Sequence, residues 1–192
     1  AKLERFEDKE KKTEAVLTKD IVNEREQEMS MLPVEIVFSE SNENVTRIFK
    51  FSDLQEKGQQ RVVIVAGKKE YVRDCVLSAR LEGNSLFNDN NICVVPVVME
   101  EGQGQLDEDE AAKKGFGATD DLLEAPYIGK AAQVQVWKRY LTKEFDTAEE
   151  QGADDPYKQG LALVVNQKGK VVRRGLGLPL WGKLLDDLKP KK

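Results

Sequence analysis

Apolar and polar positions change rhythm several times along the chain, and each change marks an element. "VEIVF" and "VTRIFKF" are short β-branched runs parted by the turn-rich "SESNEN", which predicts a hairpin or a pair of edge strands. "RVVIVAG", residues 61–67, has no polar alternation and stops at a glycine, so it predicts a central strand covered on both faces. From Lys68 the period turns helical: Tyr71, Val72, Cys75, Leu77 or Ala79, and Leu81 recur until "EGN" closes the segment. "ICVVPVV" is a second buried-type strand. Its Pro96 cannot donate to a ladder, which predicts an irregularity or an edge there. A helix is expected from about Gly129 to Phe145, with Val134, Trp137, Tyr140 and Leu141 on one face. The polar stretch "DTAEEQGADDPYKQ" then leads to the strand "GLALVV", the turn "NQKG", the strand "KVVRRG" and a closing helix, "LWGKLLDDL".

Two segments break this pattern. The first thirty residues are rich in helix formers and charge, with Leu3, Phe6, Val16, Leu17, Ile21 and Val22 as spaced apolar positions. They predict a solvated helix with a thin sticky stripe, so residues 1–33 read as a charged helical extension. Residues 100–126 mix glycines and acids without a sustained apolar period, over a length that compact domains rarely leave unstructured. That segment reads as an insertion or docking arm within a domain over 34–189, and 190–192 as a basic tail. Strand–helix–strand at the start calls for a parallel crossover and "LALVVNQKGKVVRR" for an antiparallel hairpin, so the sheet must be mixed. An α/β three-layer sandwich follows.

Composition narrows the function. The chain has 192 residues, 34% of them charged, at net charge −5. One domain is expected, without the basic footprint that nucleic acid requires. No apolar run is long enough for a transmembrane helix. Histidine is absent, which removes the usual general base and the commonest metal ligand. Cys75 and Cys93 are too few for a zinc cluster or a disulfide framework, so a reducing compartment is expected. The opening "AKLERF" lacks methionine and an apolar signal core, as in a trimmed chain or a mature protein freed of its targeting peptide.

The stretch "LALVVNQKGKVVRRGLGLPLWGKLLDDL" resembles the ending of a thioredoxin: apolar strand, glycine turn, strand, glycine, closing helix. In thioredoxins a cysteine pair sits where the central strand yields to its helix, because exposed helix amides lower the thiol pKa. Here that junction carries Ala66, Gly67, Lys68 and Lys69, with no cysteine. The proline that thioredoxins keep before the facing strand is also missing, since "QGLALVV" follows Pro156 at a distance. Dithiol exchange is therefore not expected. Cys75, among Val72 and Ala79, and Cys93, inside its strand, read as buried and inert. Lys68 and Lys69 read as solvated, because a catalytic lysine needs burial that two adjacent residues cannot share. "DEDE" and "DDLLE" lack the register of a calcium loop, and "GLGLPLW" follows a hairpin strand instead of opening a nucleotide-binding unit. No metal or cofactor is expected.

A narrower resemblance joins three pieces: "FSDLQEKGQQRVVIVAGKKEYVRDCVL", "ICVVPVV" and "GKVVRRGLGLPLW". Val63, Val65, Ala66, Gly67, Glu70, Tyr71, Val72, Val95, Pro96, Gly175, Gly177, Pro179 and Trp181 carry it, and Trp137 is placed as a family tryptophan would be. Over about Phe51 to Leu188 the chain resembles the soluble domain of the Low Photosystem II Accumulation family of chloroplast and cyanobacterial photosystem assembly factors. The resemblance implies a thioredoxin-like plastid protein on the stromal side of thylakoids that binds a photosystem. A peripheral subunit, with photosystem I favoured, or an assembly factor would meet core or peripheral subunits and light-harvesting proteins beside them. With a thioredoxin-type CxxC and histidine both absent, the chain is read as no enzyme. Its expected partner anchors are Leu3, Phe6, Phe116, Leu122, Leu123 and Tyr127, with Trp181 serving either the closing helix or a partner. The competing readings are a divergent thiol oxidoreductase or peroxiredoxin-like enzyme using Cys75 or Cys93, and a free stromal chaperone-like module.

Overall fold

A strand with nothing polar to show to water is stable only between two covering layers. Residues 61–67 are in that position. The computed structural model describes residues 3–5, 18–40, 43–100, 123 and 125–188. In chain order its elements are β1 (Leu3–Arg5), α1 (Lys19–Ser30), β2 (Pro33–Glu40), β3 (Glu43–Lys50), α2 (Phe51–Glu56), β4 (Arg61–Gly67), α3 (Lys69–Glu82), α4 (Asn84–Asn88), β5 (Ile92–Val98), β6 (Lys130–Ala131), α5 (Val134–Glu150), α6 (Pro156–Gln159), β7 (Leu161–Val165), β8 (Val171–Leu176) and α7 (Trp181–Leu188).

The main sheet runs β1-β8-β7-β4-β5. β4 and β5 are parallel and joined through α3 and α4, β7 is antiparallel to β4, and β8 is antiparallel to β7. Four strands in that order and sense, with α7 closing after the hairpin, make the mixed sheet of a thioredoxin-like fold. Period-two alternation divides the core between the two faces. Val62, Ile64, Ala66, Cys93, Val95, Leu161 and Leu163 meet Met29 of α1, Phe51 and Leu54 of α2, and Trp137, Leu141 and Phe145 of α5. Val63, Val65, Val94, Ala162 and Val164 meet Tyr71, Val72, Cys75 and Val76 of α3, Phe87 of α4, and Trp181 and Leu184 of α7. The three expected layers are present.

A second sheet, β3-β2-β6, caps the α5 side, and Val34 and Ile36 of β2 enter the same core. The indole N–H of Trp137 donates to the Pro33 carbonyl at 2.7 Å and ties the small sheet to α5. Pro96 lies on β5, the outer strand of the main sheet, opposite Val65. The missing N–H therefore costs no ladder bond.

Element boundaries differ from expectation in three places. The helix expected across the first thirty residues occupies Lys19–Ser30, whereas Leu3–Arg5 pairs in parallel with Arg174–Leu176 as a strand. Helix α5 begins at Val134, not near Gly129, because Lys130 and Ala131 pair with β2 and Gln133 is left-handed at φ 49°. It also continues to Glu150, because Thr147 and Ala148 still face the core. Short helices α2 and α4 had no periodic signature: one turn of helix is too short to repeat a pattern.

Candidate functional site

The junction of β4 and α3 is where a thioredoxin-like fold presents its chemistry, and each piece of it has a local cause. Gly67 ends β4 in close contact with the turn before β7: a Cβ there would lie 2.9 Å from the Tyr71 ring and 3.0 Å from the Gly160 backbone. Lys68 is extended, supplies no side-chain cap to α3, and donates its N–H to the Tyr157 carbonyl at 3.1 Å. The next free amide of the helix start, Lys69 N–H, is taken by the Glu100 carboxylate at 3.4 Å. Lys138 of α5 holds the Glu100 carbonyl at 2.9 Å. One amide of the helix start that would stabilise a thiolate is thus bonded to an acid of the same chain.

Tyr71 fills the rest. Its ring lies against Gly160, which adopts φ +76° and could carry no side chain without entering that ring. Its hydroxyl donates to the Gly177 carbonyl at 3.1 Å, while Gly177 N–H donates to the Gly160 carbonyl at 3.1 Å. Burial pushes the Tyr71 hydroxyl well above its ordinary pKa, with the Cys75 thiol adding to the shift. The position facing the junction, where a thioredoxin keeps its proline, is therefore a glycine required by an aromatic ring.

Both thiols lie inside. Cys75 is fully buried on α3 and Cys93 is 2% exposed on β5. They belong to opposite faces of the main sheet, so the sheet itself stands between them. Desolvation pushes each thiol up to about 12. A thiol with that pKa is not a nucleophile near neutral pH.

Residues of the narrower resemblance meet at this junction: Gly67, Tyr71 and Gly177 by contact, with Glu70 exposed in the first turn of α3. Gly175 pairs with Ala162 across β7–β8, and Pro179 is buried before α7. Trp181 is 4% exposed and donates its indole N–H to Ser78 Oγ at 2.9 Å. It also meets the Phe87 ring edge-on at 5.4 Å, and Phe87 stacks on Tyr127 at 4.2 Å. Of the expected partner anchors, Leu123 and Tyr127 are corrected to core residues beside α3, α4 and α7, and Trp181, left open between the closing helix and a partner, packs into the same core. Leu3 lies in β1 next to Arg174. Phe6, Phe116 and Leu122 fall outside the described residues.

A second polar concentration escaped the sequence reading. Glu144, on the inner face of α5, has a side chain only 1% exposed, and it accepts from Arg174 Nε at 2.9 Å. Arg25 of α1 approaches the same carboxylate at 3.5 Å. Tyr140, one turn before, donates weakly to it at 3.4 Å, and burial drives the tyrosine's pKa upward. The available signal was an acid falling on the apolar stripe Tyr140, Leu141, Phe145, together with an arginine within the strand "VVRRG". Among the described residues no group of three His, Cys, Asp or Glu side chains converges on a metal-sized site.

No known protein family and no curated protein matches the chain. Solved structures do. BsSco, of the Sco family of cytochrome c oxidase assembly proteins, is 10% identical, with 83% of this chain and 91% of that one aligned at a TM-score of 0.42. The thioredoxin domain of a thiol-disulfide oxidoreductase from Bacteroides vulgatus is 13% identical over 84% and 96%, at 0.43. StoA from Bacillus subtilis is 10% identical over 83% and 99%, at 0.35. The expectation that the chain is no enzyme is withdrawn: the absent histidine and CxxC pair rule out particular chemistries, not catalysis as such. The missing cysteine pair excludes dithiol exchange at the β4–α3 junction and nothing wider. The chain has a mixed α/β fold consistent with a thioredoxin-like one, and its two cysteines are not a CxxC pair.

Proposed function

We propose that this thioredoxin-like chain binds the stromal side of a thylakoid photosystem, photosystem I in preference, as a peripheral subunit or as an assembly and stability factor. The observation that carries the reading is the use made of the β4–α3 junction. Gly67, Tyr71 and Gly177, residues of the resemblance to photosystem assembly factors, serve there to pack Tyr71 against Gly160. A junction filled by its own chain leaves recognition to the outer surface, where Phe38, Ile48, Leu81 and Leu180 are exposed apolar side chains. Such side chains favour a partner interface because association removes their apolar surface from water. The thiol-exchange alternative lacks an accessible sulfur among these elements, since Cys75 and Cys93 are both core residues.

The test is density-gradient separation of detergent-solubilised thylakoids carrying a tagged copy of the chain. Migration of the tag with photosystem I, surviving a moderate salt wash, is the expected result. A tag that remains with soluble stromal proteins, or that follows neither photosystem, overturns the reading.

A further inference from the structure

The buried charges between α1, α5 and β8 do not balance. Arg174 of β8 donates Nε to Glu144 Oε2 at 2.9 Å, while Arg25 of α1 at 3.5 Å and the Tyr140 hydroxyl at 3.4 Å share Oε1. The side chains of Glu144, Arg174 and Arg25 are 1%, 4% and 13% exposed. Burial is the main cause of the raised Tyr140 pKa, and the charged groups that act on it besides are Glu144, Arg174 and Arg25. Two guanidinium groups therefore face one carboxylate away from water.

Hydrogen-bond acceptors run short at the same place. Arg174 Nη2 and Arg25 Nη1 are both buried, and neither has a hydrogen-bond partner among the described residues. Arg25 Nη1 lies near Glu144 without the geometry of a hydrogen bond. In a guanidinium group Nε and Nη2 form one edge of the fork, the edge that commonly grips both oxygens of a carboxylate. Glu144 meets only the Nε half of that edge, since its Oε1 is engaged by Tyr140 and Arg25. Arg174 thus keeps one donor of the edge for another acceptor beside the carboxylate.

The nature of that acceptor follows from charge. A buried polar atom needs a partner, and a buried cation needs an opposite charge as well. Water supplies the first and not the second. A doubly charged phosphate or sulfate would overshoot an excess of one charge and repel Glu144 at short range. We propose that Arg174 Nη2 and Arg25 Nη1 hold a single small monovalent anion of the halide class beside Glu144. Bound there, it balances the second guanidinium and strengthens the joint by which α1 is attached to α5 and β8. Arg25 is the most exposed of the three charged side chains, so the anion enters from the α1 side. The site is independent of the thylakoid assignment.

The probe is chloride itself. Urea unfolding of the full chain is followed as sodium gluconate is replaced by sodium chloride at constant ionic strength. An anion bound only by the folded chain raises the folding equilibrium constant in proportion to its concentration once the site is saturated, so about tenfold is expected for each tenfold rise in chloride. The chloride NMR resonance should broaden in the presence of the native chain and sharpen again when bromide is added. Arg25→Gln should abolish both effects, and Lys143→Gln, which removes an exposed cation of a surface pair, should leave both in place. Should Arg25→Gln fail to fold, the broadening and its reversal by bromide decide the matter on the native chain. Equal stability in chloride and gluconate, or an unbroadened resonance, would mean that no anion is held and would overturn the proposal. A chloride effect retained in R25Q, or lost in K143Q, would mark surface screening and overturn it equally.

Discussion

Cys75 and Cys93 are the residues whose chemistry burial alters most, and the alteration has a sign. Each thiol is raised from the usual 9.0 to about 12 by desolvation, so the folded chain keeps protons that the unfolded chain has released. Their contribution to stability is therefore complete below about pH 9 and diminishes as the pH rises from there toward about 12, by at most about 1.4 kcal/mol per pH unit and thiol. Urea unfolding between pH 8 and 11 should show falling stability, with a shallower fall in Cys93→Ala after allowance for the cavity. A slope identical to wild type would mean that the thiol is not desolvated. Gly160 and Gly177 make a second residue-scale test, because both have positive φ but only Gly160 faces an obstacle. Gly177→Ala should cost about 1 kcal/mol for backbone strain alone. Gly160→Ala adds collision with Tyr71 and should cost clearly more, about 3 kcal/mol or above, read as a lower urea midpoint. The inert cysteines were legible from their apolar neighbours in the sequence. The requirement for glycine at 160 was not, because the ring it accommodates is Tyr71, far away in the chain and brought there by the β4–β7 pairing.

At the scale of elements, α1 is held to the domain by charges of very different depth. Lys143 bonds Glu28 at 2.5 Å with both side chains more than a third exposed, and Lys170 bonds Glu26 at 2.6 Å from a mostly solvated position. The exposed Lys143–Glu28 pair contributes at most about 1 kcal/mol, whereas the Glu26 carboxylate is only 8% exposed and also accepts the Val171 N–H at 3.2 Å. Glu144 is different, because Arg174 is itself 4% exposed and would be left as a buried, uncompensated cation. Glu144→Ala should destabilise by about 3–5 kcal/mol and Glu28→Ala by under about 1 kcal/mol in the same thermal or chemical unfolding assay. Equal costs would show that water reaches Arg174. The long helix α5 and the strands β4, β5 and β7 were readable because each repeats its pattern over several turns or residues. The strand at Leu3–Arg5 was not readable: three residues in a charged segment carry no period, and their pairing depends on the edge that β8 offers.

Across the whole molecule, the main sheet separates two hydrophobic layers and puts one cysteine in each. Oxidation of the native chain should therefore give no intramolecular disulfide, checked by mass spectrometry of non-reduced digests, whereas the denatured chain should form one. A Cys75–Cys93 link in the native protein would contradict the sheet order itself, since a disulfide holds its Cα atoms within about 7 Å. Composition and patterning by themselves determined the absence of histidine chemistry, the mixed α/β architecture and the lack of a cysteine pair at the β4–α3 junction, because these depend on residue identity and on local periodicity. Tertiary structure alone decided that Tyr71 closes that junction, that Tyr127 and Trp181 belong to the core, and that Glu144 joins α1 to β8 through two arginines. Each of those facts is a meeting of segments distant in the chain, and side-chain type does not state which distant backbone will come to lie beside it.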